Sequence, residues 1–322
     1  MKNGIARFEF YIDQIESLLQ TASKQPDPAA WLYANGARTP FFMVEGLAKL
    51  YAGMHDKKAF EKLGTRFKLV EDVLGAVDYY DCFAKDFVAD KKVPAGVAAY
   101  VQSKTAESRV RLNAVLRDEG WIGEKPVRIA KIRKRLAVLD WMKPKAEVKA
   151  IEKFYEASIA KIEAFWRSCG GRFTSVENQV HETRRKLRWL SIYPQALRGC
   201  IQQSVSSPGD PKLQKYLTPE IVNSPFNKFP DAGANKHVMF VDRDHFLALS
   251  WLIADLGRLK DSGLRANLLA EASSNLKSKT SKANAQAISK SADLAPVLEA
   301  ATTACKTFFA DRVLDGLLCK GQ

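Results

Sequence analysis

The sequence has few of the residues that staple small secreted domains or hold metal ions. Its 322 residues include five cysteines, far apart and without a C-x-x-C pair, and four histidines. These spacings argue against a disulfide framework and against a zinc site, and they favour a reducing compartment. We therefore expect a cytoplasmic protein without a bound metal.

Long apolar runs and the common catalytic motifs are also missing. The longest apolar run, residues 246–254, is about half of the length that crosses a bilayer. The N-terminal helix carries Glu9, Asp13 and Glu16 within its apolar periodicity, which is not typical of a signal peptide. No G-x-x-x-x-G-K-[ST] loop and no H-E-x-x-H motif is present. These absences predict a chain without a membrane partner, a cofactor or an enzymatic activity.

Positive charge is in excess, and most of the excess lies in the middle of the chain. The chain has 50 Lys and Arg against 36 Asp and Glu, a net charge of +14. Residues 121–215 carry +11, whereas residues 1–120 carry +1 and residues 216–322 carry +2. This concentration favours a polyanionic partner over general solubility. A solvated basic face without a specific ligand is the alternative.

Apolar residues recur at steps of three and four along most of the chain, and strand-like alternation is nearly absent. This pattern predicts an all-α protein. The predicted helices span residues 4–22, 39–54, 57–88, 95–118, 126–140, 146–168, 174–199, 242–272 and 293–318. Residues 206–235, which contain five prolines, predict a long excursion with at most a short helix. Residues 273–292 predict a basic connector or a weak surface helix.

Two tandem bundles are the predicted domain organisation. The stretch from Gly120 to Pro126 separates residues 1–120 from residues 121–322. Residues 69–75 (LVEDVLG) resemble residues 252–257 (LIADLG), and each segment lies late in a long predicted helix. This faint repeat predicts two related helical bundles. Chance similarity between two leucine-rich helices is the alternative.

A basic row lies on the predicted helix around residue 181. His181, Arg184, Arg185 and Arg188 share an arc of roughly 100°. A separate apolar stripe consists of Phe173, Val176, Val180, Thr183, Leu187 and Leu190. Glu182 is expected to point away from the row. Guanidiniums bind phosphate oxygens bidentately, so the row predicts an anion site. A solvated face with a histidine at its edge is the alternative.

A second basic segment, residues 125–135 (KPVRIAKIRKR), supports this interpretation. Arg128, Lys131 and Arg135 share an arc beside the apolar stripe of the predicted helix. Residues beside a buried stripe line the groove between helices, so these three cations could form another wall of the site. Arg133 and Lys134 are expected to be solvated. A basic helix on the outside of the bundle is the alternative.

These residues resemble a known family, the conserved-histidine α-helical domain, CHAD. Residues 180–184 (VHETR), followed by Arg185 and Arg188, are similar to its first motif, a helix with His and then Arg three residues on. Residues 256–261 (LGRLKD) are similar to its second motif, with Lys260 where Arg is usual. The first half lacks the histidine and the arginine row, and it has an acidic residue in place of the second motif's Arg.

The resemblance implies two tandem bundles around a basic groove or pore that binds inorganic polyphosphate, in association with polyphosphate granules. The residues that it implies as contacts are His181, Arg184, Arg185, Arg188 and Lys260. Arg128, Lys131 and Arg135 are added to these by their position on the second basic helix. The first half is then expected to contribute mainly architecture.

Other functions remain open at this point. Aromatic platforms beside cations bind single-stranded nucleic acid, and four tryptophans interleave with the basic segment. They are Trp121, Trp141, Trp166 and Trp189. A scaffold for an acidic protein would use the same charge. Asp242, Asp244 and His245 could hold a metal, although residues that cap a helix are the preferred interpretation. His181 could also carry a phosphoryl group in an enzyme.

Overall fold

The structure is a computed structural model that describes residues 3–205, 209–275 and 294–319. These residues form an all-α fold, as predicted, together with two short strands that the sequence analysis did not predict. The helices are α1 (Asn3–Ala22), α2 (Pro28–Ala34), α3 (Arg38–Met54), α4 (Lys57–Ala89), α5 (Ala95–Asp118), α6 (Arg128–Ala137), α7 (Pro144–Ser168), α8 (Glu182–Ala196), α9 (Pro219–Val222), α10 (Arg243–Asn275) and α11 (Ala295–Ala310). Among them, none combines the length and the apolar character needed to cross a membrane.

The chain divides into two compact units. Unit 1 contains residues up to Lys143 and the end of α10 from Ala272. Unit 2 contains Pro144–Glu271 and the described residues from Leu294 onward. The boundary therefore follows α6, whereas the sequence analysis placed it at Gly120, before α6.

Unit 1 is built from long helices that bury one aromatic core. Phe8 of α1 packs on Tyr51, Phe60 and Trp141, with ring centroids 5.4–5.7 Å apart. Trp141 follows α6, and its indole Nε1 donates a hydrogen bond to the Leu136 carbonyl at 2.9 Å. Burial of aromatic surface on this scale is a main source of folding free energy. It holds the segment after Gly120 within unit 1.

Arg133 also ties α6 to unit 1. Its guanidinium lies 2.9 Å from Glu9, 2.5 Å from Asp13 and 2.6 Å from Glu16, all on α1. The prediction that Arg133 is a solvated charge was wrong. The three carboxylates recur at helical spacing along α1, and they present one acidic face to the fork of the arginine.

Unit 2 contains the helix that carries the basic row. All six residues of the predicted apolar stripe are buried, from Phe173 to Leu190, as predicted. The helix starts with a π-helical turn, Val176–His181, before α8 continues as an α-helix. The hydroxyl of Ser175 accepts from the Asn178 N–H at 3.1 Å and caps this turn. The hydroxyl of Tyr155 on α7 donates to the Leu190 carbonyl at 2.9 Å.

The excursion after α8 contains short ordered turns. Strand β1 (Ile201–Ser204) pairs in parallel with β2 (Met239–Asp242). Between them lie two 3₁₀ turns, Pro211–Tyr216 and Pro225–Asn227, and the one-turn helix α9. Each of the three starts at a proline, whose fixed φ suits the first position of a helical turn. Of the predicted basic connector, residues 273–275 extend α10, and residues 276–292 lie outside the described residues.

Asp242 caps α10. Its Oδ1 accepts hydrogen bonds from the backbone N–H groups of Asp244 and His245, both at 3.0 Å. The imidazole Nδ1 of His245 lies 2.7 Å from the Val313 carbonyl oxygen. These contacts agree with the capping interpretation of this segment.

Candidate functional site

The candidate site in unit 2 is centred on His181, the last residue of the π-helical turn. Its half-buried ring interacts electrostatically with charges on its own helix and on α10. These charged neighbours are Glu177, Lys260, Arg184 and Arg185. Burial lowers the pKa of His181 below its usual value, Glu177 opposes this, and the three cations lower the pKa further. The imidazole is therefore neutral at pH 7.

One nitrogen of this imidazole has an unmet hydrogen-bonding capacity. Nδ1 of His181 is buried and has no hydrogen-bond partner among the described residues. A buried polar atom without a partner costs free energy, roughly 1–3 kcal/mol in typical cases. The ring would gain stability by binding a proton, by a small movement of the ring towards a partner, or by contact with an anion that favours its charged form.

Arg184 lies close to the backbone of α10. Its Nε donates to the Ile253 carbonyl at 3.1 Å. A Cβ atom on Gly257 would lie only 3.0 Å from Nε and 3.2 Å from Nη2 of Arg184. Glycine is therefore needed for the guanidinium to lie this close to the helix. We call this pair the arginine–glycine contact of unit 2.

Lys260 follows Gly257 by three residues, so it lies on the same face of α10. Its side chain is 17 % exposed, and its Nζ lies 3.1 Å from the carboxylate of Asp261, which is 65 % exposed. The ammonium is close enough to His181 to depress the pKa of the imidazole. The structure thus brings Lys260 close to His181 and Arg184, which lie more than 70 residues before it in the sequence.

Arg185 is exposed and shares a carboxylate with its neighbour. Glu182 accepts from Arg185 at 2.8 Å (Nε) and 2.7 Å (Nη2), and it lies 3.0 Å from Lys186. Burial opposes ionisation of Glu182, but the hydrogen bonds and charges of Lys186 and Arg185 hold its pKa below its usual value. The expectation that Glu182 points away from the row was wrong, because its side chain reaches residues three and four positions on.

Arg188 continues the row along α8, one turn after Arg184, and it is half-buried. Its carbonyl accepts from the Ser191 hydroxyl at 2.9 Å. It is not among the charged groups that shift the pKa of His181 most. Four of the five residues that the family resemblance implies are therefore electrostatic neighbours, and Arg188 extends the basic surface.

The cations of α6 belong to unit 1. Arg128 donates from Nε to the Glu119 carbonyl at 2.6 Å and from Nη2 to the Glu119 carboxylate at 2.7 Å. Lys131 and Arg135 are exposed. All three residues lie on α6, within unit 1.

Unit 1 contains its own arginine–glycine contact, which the sequence analysis missed. A Cβ atom on Gly75 of α4 would lie 2.8 Å from Nη2 of Arg38. Arg38 pairs with Glu71 and with Asp78, each at 2.8 Å. The resemblance of residues 69–75 to 252–257 was the signal available, because each glycine ends a similar segment.

The tryptophans that favoured a nucleic-acid interface are packing residues. All four of them are at most 9 % exposed. A base cannot stack on a ring that is already covered on both faces. The four tryptophans therefore do not support a nucleic-acid interface.

The comparisons with known proteins give a likeness of fold. No protein-family model matches the chain, and no curated protein matches it. A solved structure, PptA from Streptomyces chartreusis, is similar with a TM-score of 0.53 and 13 % sequence identity. The likeness covers 98 % of this chain and 100 % of that chain. At this identity it concerns the fold alone.

Proposed function

We propose that this chain is a CHAD-type protein that binds inorganic polyphosphate without cleaving it. The binding surface is the His181 cluster, which we define as His181, Arg184, Arg185, Arg188 and Lys260. Association with polyphosphate granules in the cytoplasm would follow from this activity. The observation that carries the proposal is the gathering of cations around a half-buried, neutral histidine whose Nδ1 has no partner in the described residues.

The chemistry of the cluster suits a phosphate chain. Polyphosphate carries about one negative charge per unit and has no base to stack or to read, so cations and hydrogen-bond donors are sufficient. The arginine fork matches phosphate oxygens, and a lysine adds a point charge. A bound phosphate next to His181 would raise the pKa of its imidazole and turn it into a donor on both nitrogens.

Two features arrange the cluster before a ligand arrives. The hydrogen bond from Arg184 to the Ile253 carbonyl fixes the plane of the guanidinium on α10. The low exposure of Lys260 restricts its ammonium to the same face. Side chains that are already ordered lose less conformational entropy when they bind, which favours affinity.

The test removes two cations of the cluster that do not hold the helices together. In the double variant Lys260→Gln/Arg185→Gln, we expect polyphosphate affinity to fall by about tenfold, and the slope of log K against log salt to become shallower by about 2. Filter binding of a defined polyphosphate over a salt series gives both values.

The matched control is the double variant Arg258→Gln/Lys161→Gln. Arg258 is 76 % exposed and lies two residues before Lys260 on α10, and Lys161 is exposed on α7. Equal salt slopes for the two double variants would remove the His181 cluster from the site. Release of phosphate by the native protein with a divalent metal would instead make it an enzyme. Tighter binding of an oligonucleotide than of polyphosphate, per phosphate, would favour the nucleic-acid alternative.

A further inference from the structure

Unit 1 contains a second group of arginines that the function proposed above does not explain. Its centre is Arg66 on α4, a half-buried residue. The strongest charged neighbours of its guanidinium are Arg128 and Arg135 of α6, followed by Glu119. The sequence analysis noted the two α6 residues but not Arg66, since α4 carries its charges of both signs along its length.

Packing between α4 and α6 brings these arginines together. Arg135, Ile132 and Leu136 of α6 line a small cavity with Phe60 and Leu63 of α4. Arg66 lies three residues after Leu63, so it continues the same face of α4 towards the start of α6. At that end, two hydrogen bonds to Glu119 hold the guanidinium of Arg128 in place.

The balance of charge in this group is positive. The charged neighbours of Arg66 are two guanidiniums and one carboxylate, and that carboxylate is already hydrogen-bonded to Arg128. Arg66 and Arg135 have neither a hydrogen bond nor an ion pair with any residue that the structure describes. Burial lowers the pKa of Arg66, and the charges of Arg128 and Arg135 lower it further. Such a group is unfavourable alone and becomes favourable when an anion lies between the guanidiniums.

A phosphate oxyanion is the ligand that this group fits. Arginine remains charged at any physiological pH, so repulsion cannot be relieved by loss of a proton. Each fork offers parallel N–H donors to two oxygens of one phosphoryl group. Forks from two packed helices can hold neighbouring phosphoryl groups of a short chain.

We propose that Arg66, Arg128 and Arg135 form a phosphate-binding site within unit 1, in addition to the His181 cluster of unit 2. The ligand class rests on the proposed function, while the site rests on the packing of α4 against α6. The protein then has two sites for phosphate chains, one in each unit. Each site binds a short chain on its own.

The test counts bound ligands with inorganic triphosphate as the probe. Isothermal titration of the full chain at low salt is expected to give two triphosphates bound per chain. Arg66→Gln is expected to leave one, and the variant Lys260→Gln/Arg185→Gln is also expected to leave one. The combination of all three substitutions is expected to leave none. Lys134→Gln, which removes an exposed charge from α6, is the matched control and should leave two.

The outcomes separate this inference from the proposed function. If Arg66→Gln still binds two triphosphates, the site in unit 1 does not exist, and the proposed function is unaffected. If Arg66→Gln loses one and the unit 2 variant loses none, the proposed function fails and this inference holds. Circular dichroism reports whether Arg66→Gln folds. If it does not fold, Arg135→Gln provides the same count, because that side chain is exposed. Two bound triphosphates in Arg135→Gln would overturn the proposal.

Discussion

An arginine lies against a helix glycine in both units, but the side chains around the two contacts differ in charge. In unit 1, the residues four before and three after Gly75 are Glu71 and Asp78, and both pair with Arg38. In unit 2, the corresponding neighbours of Gly257 are Ile253 and Lys260. Four residues before the glycine of unit 1, Glu71 accepts a hydrogen bond from Arg38 with its side-chain carboxylate. At the matching position of unit 2, Ile253 accepts one from Arg184 with its backbone carbonyl.

The difference shows that one packing arrangement can have different charges beside its arginine. Glu71 is buried beside Arg38, with 8 % of its side chain exposed, so the arginine of unit 1 has its counter-ions built in. In unit 2, a cation replaces the second of those carboxylates, and the site gains positive charge that an external polyanion can neutralise. The family resemblance, which finds its motif only in the second half, agrees with this contrast.

The largest expected effect comes from placing a carboxylate of unit 1 at the matching position of unit 2. Lys260→Asp copies Asp78 and reverses one charge in the His181 cluster. We expect polyphosphate affinity to fall about 100-fold, which corresponds to about 2.7 kcal/mol. The control is Arg258→Asp, which causes the same change in net charge at an exposed position of α10. Equal losses of affinity in the two variants, measured at one salt concentration, would show that net charge alone decides binding.

The two units also differ in the titratable group that burial affects. In unit 1 this group is the carboxyl of Glu45. Burial raises the pKa of Glu45 to about 7, and the charge of Glu71 contributes. The folded state therefore holds this proton more tightly than the unfolded chain. The resulting stabilisation is complete below the unfolded pKa of 4.5 and is lost as the pH rises through about 7.

We therefore expect Glu45→Gln to be more stable than the native protein at pH 8. After a discount for partial exposure, the gain is about 1–2 kcal/mol, and it should shrink towards zero at pH 5. Urea denaturation at the two pH values measures it. Glu61→Gln, at an exposed position of α4, serves as the control. A gain of equal size at pH 5 and pH 8 would refute the raised pKa.

In unit 2 the titratable group is His181, and the prediction concerns the pH dependence of ligand binding. Free His181 is neutral at pH 7, and its ring faces Glu177, Lys260, Arg184 and Arg185. A bound phosphate chain raises its pKa, so binding takes up a proton and affinity rises as the pH falls from 8 to 6. We expect a gain of about fivefold, within the limit of tenfold per pH unit for one proton. In His181→Gln, the gain should disappear, and an unchanged pH dependence would exclude the histidine.

Local patterns in the sequence predicted the framework of the fold. The periodicity gave an all-α chain, and the helix predicted over residues 57–88 is found at Lys57–Ala89. The strands β1 and β2 were missed because four residues show no alternation, and the two strands pair across the whole excursion. The π-helical turn was also missed. It depends on side chains, since Oε1 of Gln179 accepts from the Thr174 N–H at 2.6 Å and the Ser175 N–H at 3.2 Å.

For the site, the sequence predicted which residues share a helix face but not which side chains pair. A helical projection places His181, Arg184 and Arg185 on one arc, and these residues are electrostatic neighbours. The same projection cannot tell that Glu182 reaches along the helix to Arg185. It also cannot pair Arg133 with the acidic face of α1, more than 100 residues away. The first pair depends on the side-chain rotamers along one helix, and the second forms only when α6 packs on α1.

The smallest expected effect tests the glycine that both units share. Alanine at position 257 would place its Cβ 3.0 Å from Nε of Arg184 and move the guanidinium by a few tenths of an ångström. Alanine also favours a helix over glycine by roughly 1 kcal/mol, and this gain offsets the cost of displacing Arg184. We therefore expect the melting temperature to change little, while polyphosphate affinity falls about threefold. Gly75→Ala is the matched control, because its Cβ would press on Arg38 in the same way but outside the His181 cluster. Weaker binding in Gly257→Ala alone would show that the position of Arg184 matters to the ligand. Equal weakening in both glycine variants would contradict the division of roles between the units, because an arginine already neutralised by two carboxylates has little left to offer an anion.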